Sequence, residues 1–161
     1  MEHLRSRSAG EEGAPQYHEG GRVNWRLTLS ISPLTLFVIA SPAKADPCEG
    51  PLPSRPSVEF SGAVRYVGDG DSLCVGQTDD PNEWIEVRIA DFDAPELHRP
   101  GGEAAKAALV RLALGQPVAC TTERGRRGRV VSFDRVIARC WIGSASIGDL
   151  LRRAGVAEGG N

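Results

Sequence analysis

Residues 58–89, VEFSGAVRYVGDGDSLCVGQTDDPNEWIEVRI, decide the fold. The stretch 58–67 alternates loosely between apolar and polar residues and ends at Gly68-Asp69-Gly70-Asp71, where Gly and Asp favour a tight reversal of the backbone. Residues 72–75 make a short second strand, and 77–82 is polar turn material rich in Asp. Residues 84–89 then alternate, with Ile85, Val87 and Ile89 on one face and Trp84, Glu86 and Arg88 on the other. Three such strands with short polar connections predict an antiparallel meander.

Downstream the apolar period changes from two to 3.6. Ala105, Ala108, Leu109 and Leu112 stand at i, i+3, i+4 and i+7, with Gly115 placed to stop a helix over 103–114. Ile147, Leu150, Leu151 and Ala154 repeat the spacing, with Ser146 as N-cap and Gly155 as the stop. Between the helices, 117–122 and 135–141 read as two more strands. Three strands, a helix, two strands and a helix predict a mainly β chain with helices (α+β), a five-stranded OB-type Greek-key barrel over 58–161. Residues 46–57, with four prolines among twelve, read as an extended linker or arm.

Upstream, 27–43 carries no charge and contains the apolar run from Leu34 to Ala40. Arg22 and Arg26 precede it, and Ala43-Lys44-Ala45 before Asp46 supplies a small-x-small cleavage pattern, so 1–45 is read as a leader with an export signal. The run is short for a bilayer span and is interrupted by Pro33, which weakens a transmembrane reading. Residues 1–21 are polar and Gly-rich with four Glu, which no export signal needs; a translation start at Val23 would give a more ordinary leader. The expected product is a periplasmic or secreted monomer that does not associate with membrane.

Export sets the reading of the cysteines. Cys48, Cys74, Cys120 and Cys140 all follow the expected cut, and an even number in an oxidising compartment predicts two disulfides. Opposed residues of an antiparallel hairpin share a constant index sum, so Cys120 faces Cys140 if the connection centres near residue 130. Cys120 shares parity with Val118, and Cys140 with Val136 and Ala138, which puts both on the core face. Opposed Cα atoms there approach to about 4.5 Å, within disulfide reach. Cys48 and Cys74 pair by elimination. Two buried free thiols are the alternative for Cys120 and Cys140; zinc lacks any C-x-x-C pair and has only His98 after the cut.

Residues 46–161 hold 14 Lys/Arg against 17 Asp/Glu, a net charge of about −3. A slightly acidic surface excludes indiscriminate polyanion binding, so any such contact must come from a local cluster. The one strong cluster is Arg124-Gly125-Arg126-Arg127-Gly128-Arg129, which reads equally as a solvated loop or as a backbone-phosphate contact through Arg124, Arg126, Arg127 and Arg129.

Acidic residues concentrate where strands end, in Asp69-Gly70-Asp71-Ser72 and in Val87-Arg88-Ile89-Ala90-Asp91-Phe92-Asp93-Ala94-Pro95-Glu96. A hard cation such as Ca²⁺ takes oxygen donors of this kind. Turn chemistry alone also explains Asp-Gly-Asp, and no Glu closes an EF-hand loop.

Taken together and in order, these segments resemble the staphylococcal nuclease family, whose pattern joins an Asp-Gly-Asp-Thr turn to Arg-x4-Asp-Thr-Pro-Glu and a later Arg. The matching residues are Asp69-Gly70-Asp71-Ser72, Arg88 with Asp93-Ala94-Pro95-Glu96, and Arg135 within Phe133-Asp134-Arg135-Val136-Ile137-Ala138. The helix over 103–114 and the closing residues 148–157 also fit. The resemblance implies a Ca²⁺-dependent nuclease that hydrolyses DNA or RNA. Asp71, Asp93 and the backbone carbonyl of Ala94 would ligate Ca²⁺, Glu96 would act as general base, and Arg88 and Arg135 would clamp the phosphate. A planar guanidinium matches two phosphate oxygens, which an ammonium does not. An OB module that binds nucleic acid or a protein partner without efficient catalysis is the alternative, since fold alone does not confer activity.

Structural readings compete at each position. Asp71 can close a turn, and Arg88 can pair with an acidic neighbour across the sheet. Arg127, Arg129 and Arg139 compete with Arg135, which is chosen because its parity is opposite to that of core-facing Val136 and Cys140. Asp91 reads as a turn residue, and His98 and Glu103 as solvated surface. Three departures from the family pattern stand out. Ala94 replaces Thr, Asp134 replaces the Gly before the second Arg, and the sequence ends at Asn161 without the family's third, C-terminal helix.

Overall fold

The computed structural model describes residues 46–159; residues 1–45, where a leader with an export signal and an alternative start are expected, lie outside the described residues, as do 160 and 161. The chain is mainly β with two helices, in the order β1 (Glu59–Val67), β2 (Ser72–Gly76), β3 (Ile85–Ile89), α1 (Gly102–Ala113), β4 (Pro117–Thr122), β5 (Val131–Ser132), β6 (Arg135–Ile142), β7 (Ala145–Ser146) and α2 (Ile147–Arg153). Five of the strands close into a barrel. β1 pairs antiparallel with β2 on one side and β4 on the other, β2 continues to β3, and β4 to β6. Parallel pairing of β3 with β6 completes the circuit, consistent with an OB-type barrel.

Curvature comes from β1. Its first half pairs with β4 and its second half with β2, so the strand must bend around the barrel. A register shift between Val64 and Tyr66 inserts Arg65 as a bulge, which increases local twist where the strand changes partner. Two elements had no sequence signal because each is only two residues long: β5, which pairs with the start of β6, and β7, which pairs with its end.

The core follows from alternation. Val64, Leu73, Val75, Val87, Ile89, Val136 and Ala138 point inward and are buried with Leu109 of α1 and Ile147 and Leu151 of α2. Helix α1 buries Ala105, Ala108, Leu109 and Ala113, while Leu112, expected on that stripe, is only half-buried. Small residues at the contact let the helix approach the barrel closely. Ser146 caps α2 as expected, its hydroxyl accepting from the Asp149 N–H at 3.1 Å.

Both disulfides are present, as suits an oxidising, extracellular setting. Cys120 and Cys140 are directly opposed in the β4–β6 register, with Cα atoms 4.1 Å apart in the core. Cys48–Cys74, with Cα atoms 5.8 Å apart, lies on the opposite side of the sheet and fixes the Pro-rich arm to β2. The arm is further held where the Gly50 N–H donates to the Trp84 carbonyl at 2.9 Å and the Ser57 N–H to the Thr122 carbonyl at 2.8 Å.

Removing the inner disulfide by Cys120→Ala with Cys140→Ala is expected to lower unfolding free energy by about 3 kcal/mol, the chain-entropy value for a loop of this size. Urea unfolding of the double variant against the native protein measures it; an unchanged midpoint would show that the bond adds nothing.

Candidate active site

The β1–β2 turn and the segment leaving β3 meet at one end of the barrel because Ser72 stands opposite Arg88 in the ladder. The Ile89 N–H donates to the Asp71 carbonyl at 2.8 Å, extending this contact into the turn. Asp71 is 7% exposed. Its Oδ2 accepts from the Ala94 N–H at 2.6 Å, and Asp69 Oδ1 accepts from the Asp71 N–H at 2.9 Å. Gly70 is required between them. A Cβ there would lie 2.5 Å from Ala94 Cβ and 2.7 Å from Ala105 Cβ, so the turn, the site loop and α1 converge only over a bare α-carbon.

Arg88 is the hub. Its Nη1 donates to the carbonyls of Ile89 and Phe92 at 2.7 and 2.8 Å. Its Nη2 is in contact with Asp93 Oδ1 and lies 3.2 Å from Asp71 Oδ2. Arg126 approaches the second oxygen of Asp93 at 3.4 Å, and Arg135 lies 3.6 Å from Asp69. Arg88 thus pairs both with Asp93 of its own segment and with Asp71, an acid next to its cross-strand partner Ser72.

One cavity of about 250 Å³ is lined by Asp71, Arg88, Asp93, Ala94, Glu96 and Arg135 together. These six positions come from three separate segments of the chain. An adjoining cavity of about 750 Å³ shares Arg88, Asp93 and Arg135 and adds Arg126, Arg127 and Arg129. Arg124 is placed differently: its Nη1 donates to the Gly128 carbonyl at 2.7 Å and stabilises the loop's own turn. Arg139 is paired with Glu123 at 2.9 Å, and Asp91 packs against Gly148 at the start of α2. Glu103 and His98 are exposed.

Two residues escaped the sequence reading. Phe133 is 93% exposed and lines both cavities. It begins the two-residue connection of the β5–β6 hairpin, with φ of +57°. A left-handed backbone costs a bulky residue about 1–2 kcal/mol, and no burial of the ring offsets that cost. A lone aromatic in a polar loop was its only signal. Glu86 sits on the outer face, as alternation required, yet is 6% exposed because the N-terminal arm covers that face.

Burial raises the Asp71 carboxyl to about 7; Arg88 and the Ala94 N–H oppose the shift, and Asp69 adds to it. Burial likewise raises Glu86 to about 7, helped by Asp134 and Asp46 and opposed by Arg135. The buried charge of Asp71 is therefore incompletely compensated, a setting that suits a further cation. Asp71, Asp93 and the Ala94 carbonyl offer only hard oxygen donors, appropriate for Ca²⁺. Among the described residues no three His, Cys, Asp or Glu side chains converge as a metal-holding group, so water and substrate would have to complete the coordination. No protein-family model and no curated protein matches the chain.

The raised carboxyls make a pH prediction. Both bind protons more tightly folded than unfolded, where they titrate near 4. Their contribution is fully present below those unfolded values and is lost as pH rises through about 7. The melting temperature of the chelator-treated protein should therefore fall from pH 6 to pH 8. Asp71→Asn should flatten that fall and raise stability at pH 8, because an amide oxygen still accepts from Ala94. Superimposable melting profiles for variant and native protein would refute the buried-carboxylate account.

Proposed function

We propose that this barrel is a secreted, Ca²⁺-dependent nuclease, a phosphodiesterase with the Greek-key OB architecture of the staphylococcal nuclease type. The observation that carries the reading is the convergence of Asp71, Arg88, Asp93, Ala94, Glu96 and Arg135 on one cavity beside a second, arginine-lined one. Phosphodiester hydrolysis requires in-line attack by water on a phosphorus shielded by anionic oxygens, and convergent positive charge offsets that shielding.

Asp71, Asp93 and the Ala94 carbonyl would hold Ca²⁺, which supplies charge for the phosphate oxygens. The substitution of Ala for Thr at 94 leaves that carbonyl in place. Arg88 is oriented by the two carbonyls bound to its Nη1; its Nη2, shared by Asp71 and Asp93, is the donor available to a phosphate once those carboxylates have another partner. Arg135 presents a second guanidinium to the same cavity. Glu96, exposed at the mouth, takes the proton from the attacking water. Arg126, Arg127 and Arg129 hold neighbouring backbone phosphates without reading sequence. The Phe133 ring offers a stacking surface for an unpaired base beside them.

The deciding experiment is an in-gel nuclease assay on the exported protein with Ca²⁺ or with EGTA. Cleavage is expected only with Ca²⁺. Glu96→Gln should lower turnover by roughly 10²–10⁴ while leaving oligonucleotide affinity nearly unchanged. Arg135→Lys should lose rate because an ammonium cannot make the two-point contact. Neutralising Arg126 and Arg127 should weaken binding and reduce its salt dependence. Normal, salt-sensitive oligonucleotide binding with no cleavage under either condition would make the chain a binding module instead, with Ala94 and Asp134 the first positions to revert.

A further inference from the structure

The outer face of β1–β3, on which Arg88 also stands, contains a second buried polar group that the nuclease reading does not use. Asp46 is held there tightly. Two residues on, Cys48 is bonded to Cys74, and the N–H groups of Glu49 and Gly50 donate to the carbonyls of Pro81 and Trp84 at 3.0 and 2.9 Å. Only Pro47, whose ring fixes its own φ, separates Asp46 from that anchored chain. The Asp46 carboxyl bears on both the Glu86 carboxyl and the Tyr66 hydroxyl, raising each. Its Oδ2 and Ser72 Oγ lie 2.7 and 2.6 Å from the position a Cβ on Gly68 would take, so both oxygens crowd the same bare α-carbon.

This group is short of positive charge and of donors. Glu86 is 6% exposed and is acted on by the carboxylates of Asp46 and Asp134; Arg135, which opposes them, also pairs with Asp69. Ser72 is 1% exposed, and its Oγ has no hydrogen-bond partner. The unpartnered Ser72 hydroxyl beside Asp46, and the buried Glu86 carboxyl on which Asp46 acts, call for a compact cation that also donates hydrogen bonds.

We propose that removal of the leader after Ala45 creates that cation, the α-ammonium of Asp46, which seats against Glu86 and Ser72 Oγ and locks the arm onto the barrel. The step is hydrolysis of the Ala45–Asp46 amide by an endopeptidase of the leader-removing class. Water supplies the hydroxyl that leaves with Ala45 as its carboxylate, and the freed Asp46 nitrogen takes up protons to become an ammonium. In the uncut chain the same nitrogen is an uncharged amide with one hydrogen. In the cut chain it carries three donors and a full charge, within about 4 Å of its own carboxyl carbon whatever the rotamer. The ammonium also takes over the neutralisation of Glu86, leaving Arg135 less engaged on that side. The proposal goes beyond the nuclease reading and does not depend on it.

The test uses the protein exported from the full chain, with its N terminus sequenced. It is compared with a variant carrying one extra Ala between residues 45 and 46, its start checked in the same way, and with Glu86→Gln. The rate of α-amino carbamylation by cyanate is followed against pH. A start at Asp46 is expected, with an α-amino pKa more than one unit above the ordinary 7.7–8.0 and modification at pH 8 about tenfold slower than for a free terminus. The extra residue displaces the ammonium by about 3.8 Å and should restore ordinary reactivity, as should Glu86→Gln. A start other than Asp46, or equal reactivity in the native and extended proteins, overturns the proposal. If Glu86→Gln does not fold, the extended protein, which keeps every barrel residue, decides alone.

Discussion

Parallel pairing of β3 with β6 is the constraint from which the rest of the site follows, since it alone joins the meander β1–β3 to the hairpin β4–β6 on their second edge. Without it, both strands would present unpaired N–H and C=O groups along exposed edges. With it, Val87 stands beside Val136 and Arg88 beside Ile137, and the guanidinium groups of Arg88 and Arg135 face the same cavity. The bulge at Arg65 serves this closure by letting β1 bend far enough to reach both β2 and β4. The site is therefore assembled by the backbone ladder as much as by its side chains.

Electrostatically, the cavity is a near-balanced set of opposite charges at short range. Arg88 is shared by Asp71 and Asp93, Arg126 leans on Asp93, and Arg135 leans on Asp69. The exposed pair made by Arg126 is worth little by itself, whereas the contacts to buried Asp71 act where solvent screens them less. Burial still outweighs the attraction of Arg88 for Asp71. Such a site is tolerant of a guest charge, because Arg88 and Asp93 each have two partners of opposite charge.

The sequence was most legible where a periodicity or an index rule applied. Alternation at Val87 and Ile89, helical spacing through Leu109 and Leu151, and the shared sum that opposes Cys120 to Cys140 all appear in the structure. Leu112 yielded its place on the α1 stripe to Ala113, because close helix-to-barrel packing favours the smaller side chain. Strands β5 and β7 were illegible because two residues carry no period. Asp71, Arg88, Asp93, Glu96 and Arg135 were singled out by an ordered motif, which composition alone would not have supplied, and they line one cavity. Glu86 and Phe133 were missed for opposite reasons. Glu86 is buried by an arm whose path no local pattern encodes, and Phe133 is exposed where hydrophobicity predicts burial.

The closing pair also sets an order of assembly. Val87 meets Val136 across nearly half of the described chain, so the barrel cannot close until the last strands are available. Cys48 and Cys74 belong to the part of the described chain that is synthesised first, while Cys140 arrives late, on β6. The arm can thus be tethered while the barrel is still open. Arg88, Asp71 and Asp93 gather around an incomplete cavity until β6 brings Arg135, so the arrangement of charges is completed only when the last long strand is in place.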